Sequence, residues 1–154
     1  MKIISVCNQK GGVGKTTTAI NTAAYLAESN QRVLLVDLDP QGNATSGLGI
    51  DKKTLTRSTY HLLMDQQNPR TIIRPTLVEN LTILPSTIDL TGAEVELVPQ
   101  ERREFRLREM LEPLRGEFDF MLIDSPPSLG LLTINGLVAA DSALIPLQCE
   151  YYAL

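Results

Sequence analysis

The sequence predicts an α/β fold, a mostly parallel sheet with helices on both faces. Three observations carry this expectation. Short, continuously apolar runs recur along the chain, the pattern of strands covered on both sides. Segments with apolar residues at helical spacing lie between them, as in repeated β-α units. Polar loops rich in Gly and Asp follow several of these runs, at the carboxyl ends where open parallel sheets bind ligands.

Taken in order, residues 3–7 form the first strand candidate and lead into a glycine-rich loop. In residues 16–29, Ile20, Ala23, Ala24 and Ala27 recur at helical spacing. Residues 33–36 are continuously apolar and read as a doubly covered strand. Residues 38–57 are polar and rich in Gly, Asp and Thr, hence loop. Thr59 is placed to cap a short helix running to Leu63, and residues 69–75 read as a connector. Residues 81–84 are a strand stopped by Pro85. In residues 101–115, Leu107, Met110, Leu111 and Leu114 share one helical face, and Glu104 precedes Arg108 in the favourable order for an ion pair. Glu101, Glu104, Glu109 and Glu112 interleave with the arginines there, so the stretch reads as a solvated helix face and not a nucleic-acid patch. Residues 120–123 are a fourth strand ending on Asp124, residues 131–140 are helical, and residues 143–147 are a fifth strand.

Length and composition narrow the function. A chain of 154 residues reads as one domain with a real core. Apolar and charged contents of 43% and 21% are those of a globular protein and exclude wholesale disorder. A net charge of −4 provides no global basic field, so any nucleic-acid contact needs a local patch or a dimer. Cys7 and Cys149, with His61 as the single histidine, make neither a disulfide framework nor a convincing zinc site. Both cysteines follow apolar runs and are expected to be small buried residues at strand ends in a reducing cytosol. No signal-peptide pattern and no run near the ~20 apolar residues of a membrane span is present, so a cytoplasmic protein is expected.

Residues 10–17 read K-G-G-V-G-K-T-T between a strand candidate and a helix candidate. The strict phosphate-loop motif G-x-x-x-x-G-K-[ST] asks for glycine where this chain has Gln9. The chemistry survives that change. Gly11, Gly12 and Gly14 lack a Cβ, so the backbone can turn its N–H groups inward and approach a phosphate closely. The helix beginning near Thr16 aims its positive end at the same place. Lys15 supplies a point charge to the β- and γ-phosphates, and the Thr16 hydroxyl can ligate Mg²⁺. Val13 and Thr17 complete the loop.

This run resembles the deviant Walker A motif of the ParA/MinD group of P-loop ATPases, whose extra signature lysine falls at Lys10. The resemblance implies a SIMIBI-type P-loop fold and an ATP-dependent homodimer in which two subunits sandwich two ATP molecules. It also implies that Lys15 acts in cis while Lys10 reaches the partner's nucleotide. The strand at residues 33–36 runs into D-L-D-P-Q-G-N-A-T, which is similar to the switch I segment of ParA proteins. The resemblance assigns Asp39 to positioning the attacking water and places Asp37 near the Mg²⁺ shell. An apolar strand ending on Asp124 is the Walker B arrangement, whose carboxylate holds Mg²⁺ through water because that ion keeps much of its hydration. Ser125-Pro126-Pro127-Ser128 resembles switch II, a loop able to sense the γ-phosphate. Residues 146–154, P-L-Q-C-E-Y-Y-A-L, look like a segment of the chromosomal ParA (Soj) subgroup, so the likeness spans the whole chain.

What the resemblance implies is an ATP-binding and hydrolysing partition protein, a dimeric switch in chromosome or plasmid segregation, cytoplasmic and nucleoid-associated when ATP-bound. Its cofactors would be ATP and Mg²⁺, its partners a ParB-like activator and nonspecific DNA. Lys10, Lys15 and Asp39 would be catalytic, and Lys10, Gly11, Gly12, Val13, Gly14, Lys15, Thr16 and Thr17 would bind nucleotide. Thr16, Asp37 and Asp124 would form the metal site. Two alternatives stay open. One is a MinD-like membrane-cycling division regulator, against which the D-P-Q-G-N-A-T run speaks. The other is a metabolic ATP-dependent enzyme on the same scaffold, such as a ligase or an iron–sulfur reductase; for a reductase neither Cys7 nor Cys149 sits in a suitable loop. The apolar strand at residues 143–147 expects cover on both faces and a neighbour on its far edge. Residues 1–154 are therefore expected to be the N-terminal part of a longer P-loop ATPase domain, cut after the fifth strand and a poor ATPase alone.

Overall fold

The structure, a computed structural model, describes residues 1–149. Among these, one sheet holds β1 (Lys2–Val6), β2 (Val33–Asp37), β3 (Arg74–Pro75), β4 (Leu81–Leu84), β5 (Phe120–Asp124) and β6 (Ser142–Leu144). The strand order is β3-β4-β2-β5-β1-β6, parallel throughout except for the antiparallel pairing of β3 with β4. The helices are α1 (Lys15–Glu28), α2 (Asn43–Gly47), α3 (Thr59–Met64), α4 (Leu90–Glu96), α5 (Arg106–Leu111) and α6 (Leu131–Ala139).

Successive strand residues point to opposite faces, and two separate cores result. Val6, Val33, Leu35, Leu81, Ile83 and Leu122 meet Ala19, Ala23 and Ala27 of α1 on one side. Leu34, Val36, Leu84, Met121 and Ile123 meet the buried leucines of α3, α4, α5 and α6 on the other. Every residue of β2 is buried, which is why its sequence shows no polar alternation. The alanine stripe of α1 has one residue per turn or so and lets the helix lie close against the sheet. That brings the loop before it down onto the strand ends.

Several expectations are corrected. The segment at 38–57 contains α2 and a 3₁₀ turn, Lys52–Thr54, whose first N–H groups are met by the Asp51 side chain accepting from Lys53 N at 3.0 Å. Helix α4 went unread, although Leu90, Ala93 and Leu97 are all buried on one face; Gly92 and the shortness of the stretch hid it. Residues 101–115 are not one helix. Arg102 has a φ of 53° and Pro113 stands near the far end, leaving α5 between two 3₁₀ turns. Leu107, Leu111 and Leu114 are buried as their spacing foretold, but Glu104 pairs with Arg103 at 3.0 Å and not with Arg108.

Thr59 does not cap α3. Ser58 precedes that helix, and its N–H donates to His61 Nδ1 at 3.2 Å. The connector at 69–75 ends in β3, so the strand expected fifth is the sixth. It spans three residues, all exposed, and stops short of Ile145 and Pro146. Its start is pinned by Asp141, whose Oδ2 accepts from Ile3 N and whose N–H donates to Ile3 O, both at 2.8 Å. Cys149 is exposed and Cys7 half-buried, both free thiols, where both were expected buried. Residues 150–154, part of the Soj-like segment, lie outside the described residues. Among the described residues no helix is long and apolar enough to cross a membrane.

At the amino ends of β2 and β5, Asp119 holds Arg32 by three contacts: Arg32 N at 2.9 Å, Nε at 3.1 Å and Nη2 at 2.8 Å. These hydrogen bonds hold the Asp119 carboxyl down at about 2, against its ordinary 3.8. A depressed folded-state value means stability that is present above the unfolded value and is lost as pH falls through the folded one. Asp119→Asn is therefore expected to melt below the parent at neutral pH. In thermal melts on an acid series the gap should close between about pH 4 and pH 2; a gap unchanged across that window would contradict the assignment.

Candidate nucleotide site

The site assembles where β1, β2 and β5 end. The loop after β1 turns on Gly12 and Gly14, with φ of 75° and 87°, conformations in which any side chain would be strained. Gly14 is the residue before α1, and its carbonyl accepts from Thr18 N at 2.8 Å, closing the first turn. A Cβ added at Gly11, Gly12 or Gly14 would meet no protein atom within 4 Å. The space over these glycines is therefore open, which suits close approach of a ligand. A cleft of about 360 Å³ lies there, bordered by the loop, Lys15, Thr16, Thr17, Asp39, Gln41, Asn43 and Pro127.

Lys15 is only 7% exposed, and its Nζ donates to the Lys10 carbonyl at 3.1 Å. A buried ammonium beside open loop N–H groups, at the positive end of a fourteen-residue helix, makes a strong anion site. Lys10 is placed differently. Its side chain is exposed and borders a second cleft of about 570 Å³, shared with Asn8, Ser128 and Leu129. The structure thus brings Gly11, Gly12, Gly14, Lys15, Thr16 and Thr17 together with Asp39 at this cleft, whereas the Val13 side chain is buried and Lys10 borders the second cleft.

Strand register places Asp37 directly across from Asp124. Both carboxylates are fully buried, yet they are treated unequally. Asp37 Oδ2 accepts from Thr45 N at 2.8 Å and Thr45 Oγ1 at 2.7 Å, while Oδ1 accepts from Asp39 N at 3.2 Å. Burial pushes the Asp37 carboxyl up to about 6, with the Thr45 hydrogen bonds opposing it. Neither Asp124 oxygen has a hydrogen-bond partner. Burial pushes this carboxyl up to about 7; the nearby Thr16 hydroxyl and Lys15 charge offset that in part, and Asp37 and Asp39 add to it.

A buried, unpartnered carboxylate is costly, and native proteins keep one where an ion or reaction compensates it. Asp124 therefore fits a hard, oxygen-seeking cation. Among the described residues no group of three or more His, Cys, Asp or Glu could hold a metal alone. The ion that fits is one completing its shell with water and phosphate oxygens, as Mg²⁺ does.

Asp39, 8% exposed, sits at the cleft with its N–H on Asp37 and its Oδ1 accepting from Gln41 N at 2.9 Å. Other supporting residues were not singled out from sequence. Asn8 Oδ1 accepts from Lys10 N at 3.0 Å and its Nδ2 donates to Pro146 O at 2.9 Å, tying the glycine loop to the segment after β6. Gln148 Nε2 donates to Gly12 O at 3.2 Å. Thr59 Oγ1 lies 3.0 Å from both Asp37 O and Pro85 O. Polar side chains just past strand ends were the available signal, but single Asn and Thr residues are common in turns for local reasons.

Replacing Asp124 by Asn removes a buried charge whose oxygens have no hydrogen-bond partner and which Lys15 and Thr16 offset only in part. At about pH 8, where that charge is present, Asp124→Asn is expected to raise the melting temperature of the ligand-free protein by a few degrees. The same change should abolish any added stabilisation by Mg²⁺ with a nucleoside triphosphate. Differential scanning calorimetry decides both points, and a melting temperature below the parent's would show that the carboxylate is compensated within the fold.

Comparison with known proteins agrees with this geometry. A family model described as an AAA domain matches residues 1–154. The chain is 61% identical over 153 residues to a chromosome partitioning protein ParA of Myxococcus xanthus, covering 99% of this chain and 54% of that protein. It is 59% identical over 153 residues to the sporulation initiation inhibitor protein Soj of Bacillus subtilis, covering 99% of this chain and 60% of that one. The chain thus spans about half to three-fifths of the length of these relatives. Among solved structures it resembles a cobyrinic acid a,c-diamide synthase from Mycobacterium smegmatis with bound ADP and magnesium, at a TM-score of 0.97 and 47% identity, over 100% of this chain and 62% of that one. On the family match, the relatives and the phosphate loop together, the chain belongs to the AAA domain family of P-loop ATPases, within its ParA/Soj group.

Proposed function

We propose that these residues carry the Mg·ATP site of a ParA/Soj-type partition ATPase, an ATP-dependent dimeric switch in chromosome or plasmid segregation. The observation that carries this proposal is the unpartnered, buried Asp124 carboxylate lying beside Lys15 and Thr16. That is an arrangement for a metal-bound triphosphate, and the relatives named for partitioning supply the biological role. The solved structure with ADP and magnesium supports ATP and Mg²⁺ as the cofactors.

Each residue then has a task. The N–H groups of Gly11 to Thr17 and the buried Lys15 ammonium hold the phosphates and neutralise charge that builds on them during transfer. Thr16 and Asp124 would hold Mg²⁺, which supplies further charge neutralisation. Asp39 orients the attacking water from the edge of the cleft. Asp37, expected in the metal site, has both oxygens committed to protein donors and would act from behind the metal shell by fixing Asp39. Lys10 borders a cleft other than the phosphate cleft, which supports a task on the nucleotide of a second subunit. With a net charge of −4, nonspecific DNA binding and nucleoid association would fall to a local patch on the dimer, and a ParB-like protein would stimulate turnover.

A metabolic ATP-dependent enzyme on this scaffold is the second possibility, favoured by the resemblance to a structure named as a diamide synthase. The identities to the partition proteins, 61% and 59%, exceed the 47% to that structure. ATP turnover stimulated by DNA and a ParB-like protein separates the two: a metabolic enzyme would ignore both.

The two lysines are expected to fail differently. Lys15→Ala should lose ATP binding measured by calorimetry. Lys10→Ala should bind ATP within about threefold of the parent yet fail to dimerise with it in analytical ultracentrifugation. Equal ATP affinity in Lys15→Ala, or normal ATP-dependent dimers of Lys10→Ala, would refute the respective role. Asp39→Ala should bind ATP and dimerise while hydrolysing at least about a hundredfold more slowly. Parent-like turnover would remove Asp39 from the mechanism.

A further inference from the structure

Behind the phosphate cleft, a buried relay of hydrogen bonds joins α2 to the ends of β2 and β4. Thr45, wholly buried on α2, donates its hydroxyl proton to Asp37 Oδ2 at 2.7 Å. Thr45 Oγ1 itself accepts from Ser86 N, just past β4, at 2.9 Å. Asp37 in turn receives Asp39 N on its other oxygen at 3.2 Å. The path therefore runs from the end of β4, through one hydroxyl and one carboxylate, to the backbone of the residue that borders the cleft.

We propose that Thr45 is the positioning residue of this loop, holding Asp39 where it can act on water, and that its hydroxyl is the required group. The proposal rests on the role of Asp39 given above. A second contact fixes the same loop against the same residue. Gly42, with a φ of 61°, leaves no room for a Cβ, which would stand 2.9 Å from Ser86 O and 2.8 Å from Lys52 Cδ. Gly42 N also donates to Asp39 O at 2.9 Å. Ser86 thus holds the loop from its N–H, through Thr45, and limits it at its carbonyl, against Gly42. A hydroxyl is the one side-chain group of this size that donates to a carboxylate and accepts from an N–H at once. Valine keeps the branched shape and does neither; serine keeps both functions.

The glycine loop and Lys15 stand outside this relay, so its loss should separate turnover from binding. In the full-length protein, Thr45→Val is expected to lower ATP turnover at least about tenfold while leaving ATP affinity within about threefold. Thr45→Ser should stay within about threefold of the parent in both. Gly42→Ala displaces the same loop without touching the hydroxyl and should show the same split, which covers the case in which Thr45→Val does not fold. Amide hydrogen exchange gives a readout free of activity: Asp39, Thr45 and Ser86 should exchange faster in Thr45→Val, with β1 and β5 unchanged. Parent-like turnover in Thr45→Val, affinity falling together with turnover, or failure of Thr45→Ser to rescue would each overturn the proposal. A parent that hydrolyses no ATP would instead overturn the ATPase assignment, and the exchange comparison would still decide whether Thr45 holds the loop.

Discussion

The placement of two carboxylates in one buried layer is the constraint on which this structure turns. A parallel sheet covered on both faces has no wet side, so polar chemistry can leave it only at the strand ends. Register then sets Asp37 of β2 opposite Asp124 of β5, a pairing of like charges in a poor dielectric. The fold resolves the conflict by treating them unequally. Asp37 accepts from three donors, Asp39 N of the loop and the N–H and hydroxyl of Thr45 on α2. Asp124 is given none and stays available to a cation. Burying a carboxyl without a hydrogen-bond partner costs stability, and such groups cluster at functional sites.

Such a site needs rigid surroundings, and both helical layers provide them. On one face the small residues of α1 seat the glycine loop close to the sheet. On the other, α6 carries the loop after β5 and is held by three elements. Glu94 of α4 accepts from Leu131 N at 2.8 Å, capping α6 from another helix, and Gly130 has no room for a Cβ beside that carboxylate. Buried Asn135 accepts from Leu107 N at 3.0 Å and donates to Arg103 O at 2.8 Å. Gly136 lets α6 approach Ser125, whose Oγ would lie 3.0 Å from an added Cβ. Thr133 Oγ1 donates to Ser128 O at 2.6 Å. The loop after β5 is thus held at its start, at Ser128 and where it enters α6.

How much of this was legible depends on whether the signal was local. The central strands were plain, because burial on both faces leaves an unbroken apolar run such as Val33 to Val36. The glycine loop was plain too, since its glycines answer a backbone demand visible at Gly12 and Gly14. Elements resting on one or two contacts were not. Helix α2 lacks helical apolar spacing and exists because Thr45 is tied to Asp37. Strand β3 is two residues long and exists because Thr82 and Ile83 lie beside it. The stretch at 101–115 had the right buried leucines but carried Arg102 and Pro113, and the apolar period outweighed those breakers in the expectation. Partners such as Glu94 with Leu131 are 37 residues apart, and nothing in either local sequence announces the other.

The two lysines of the phosphate loop show what coordinates add to a motif. By sequence the motif assigns Lys15 to phosphate, and spacing makes Lys10 only another cation beside it. In the fold, Lys15 is buried on the cleft side and leans on the Lys10 carbonyl, while the Lys10 side chain borders a different cleft. The Lys10 position therefore supports Lys15 through its backbone carbonyl, and its side chain borders a separate cleft. A side-chain substitution there leaves the carbonyl that supports Lys15 in place, so the two functions are separable at a single residue. That separation follows from Gly12 and Gly14 turning the chain within the span between the lysines, and an ordinary loop of non-glycine residues would not make that turn without strain. The glycines thus do more than admit a phosphate. They also set the two lysines of one basic motif at two different clefts.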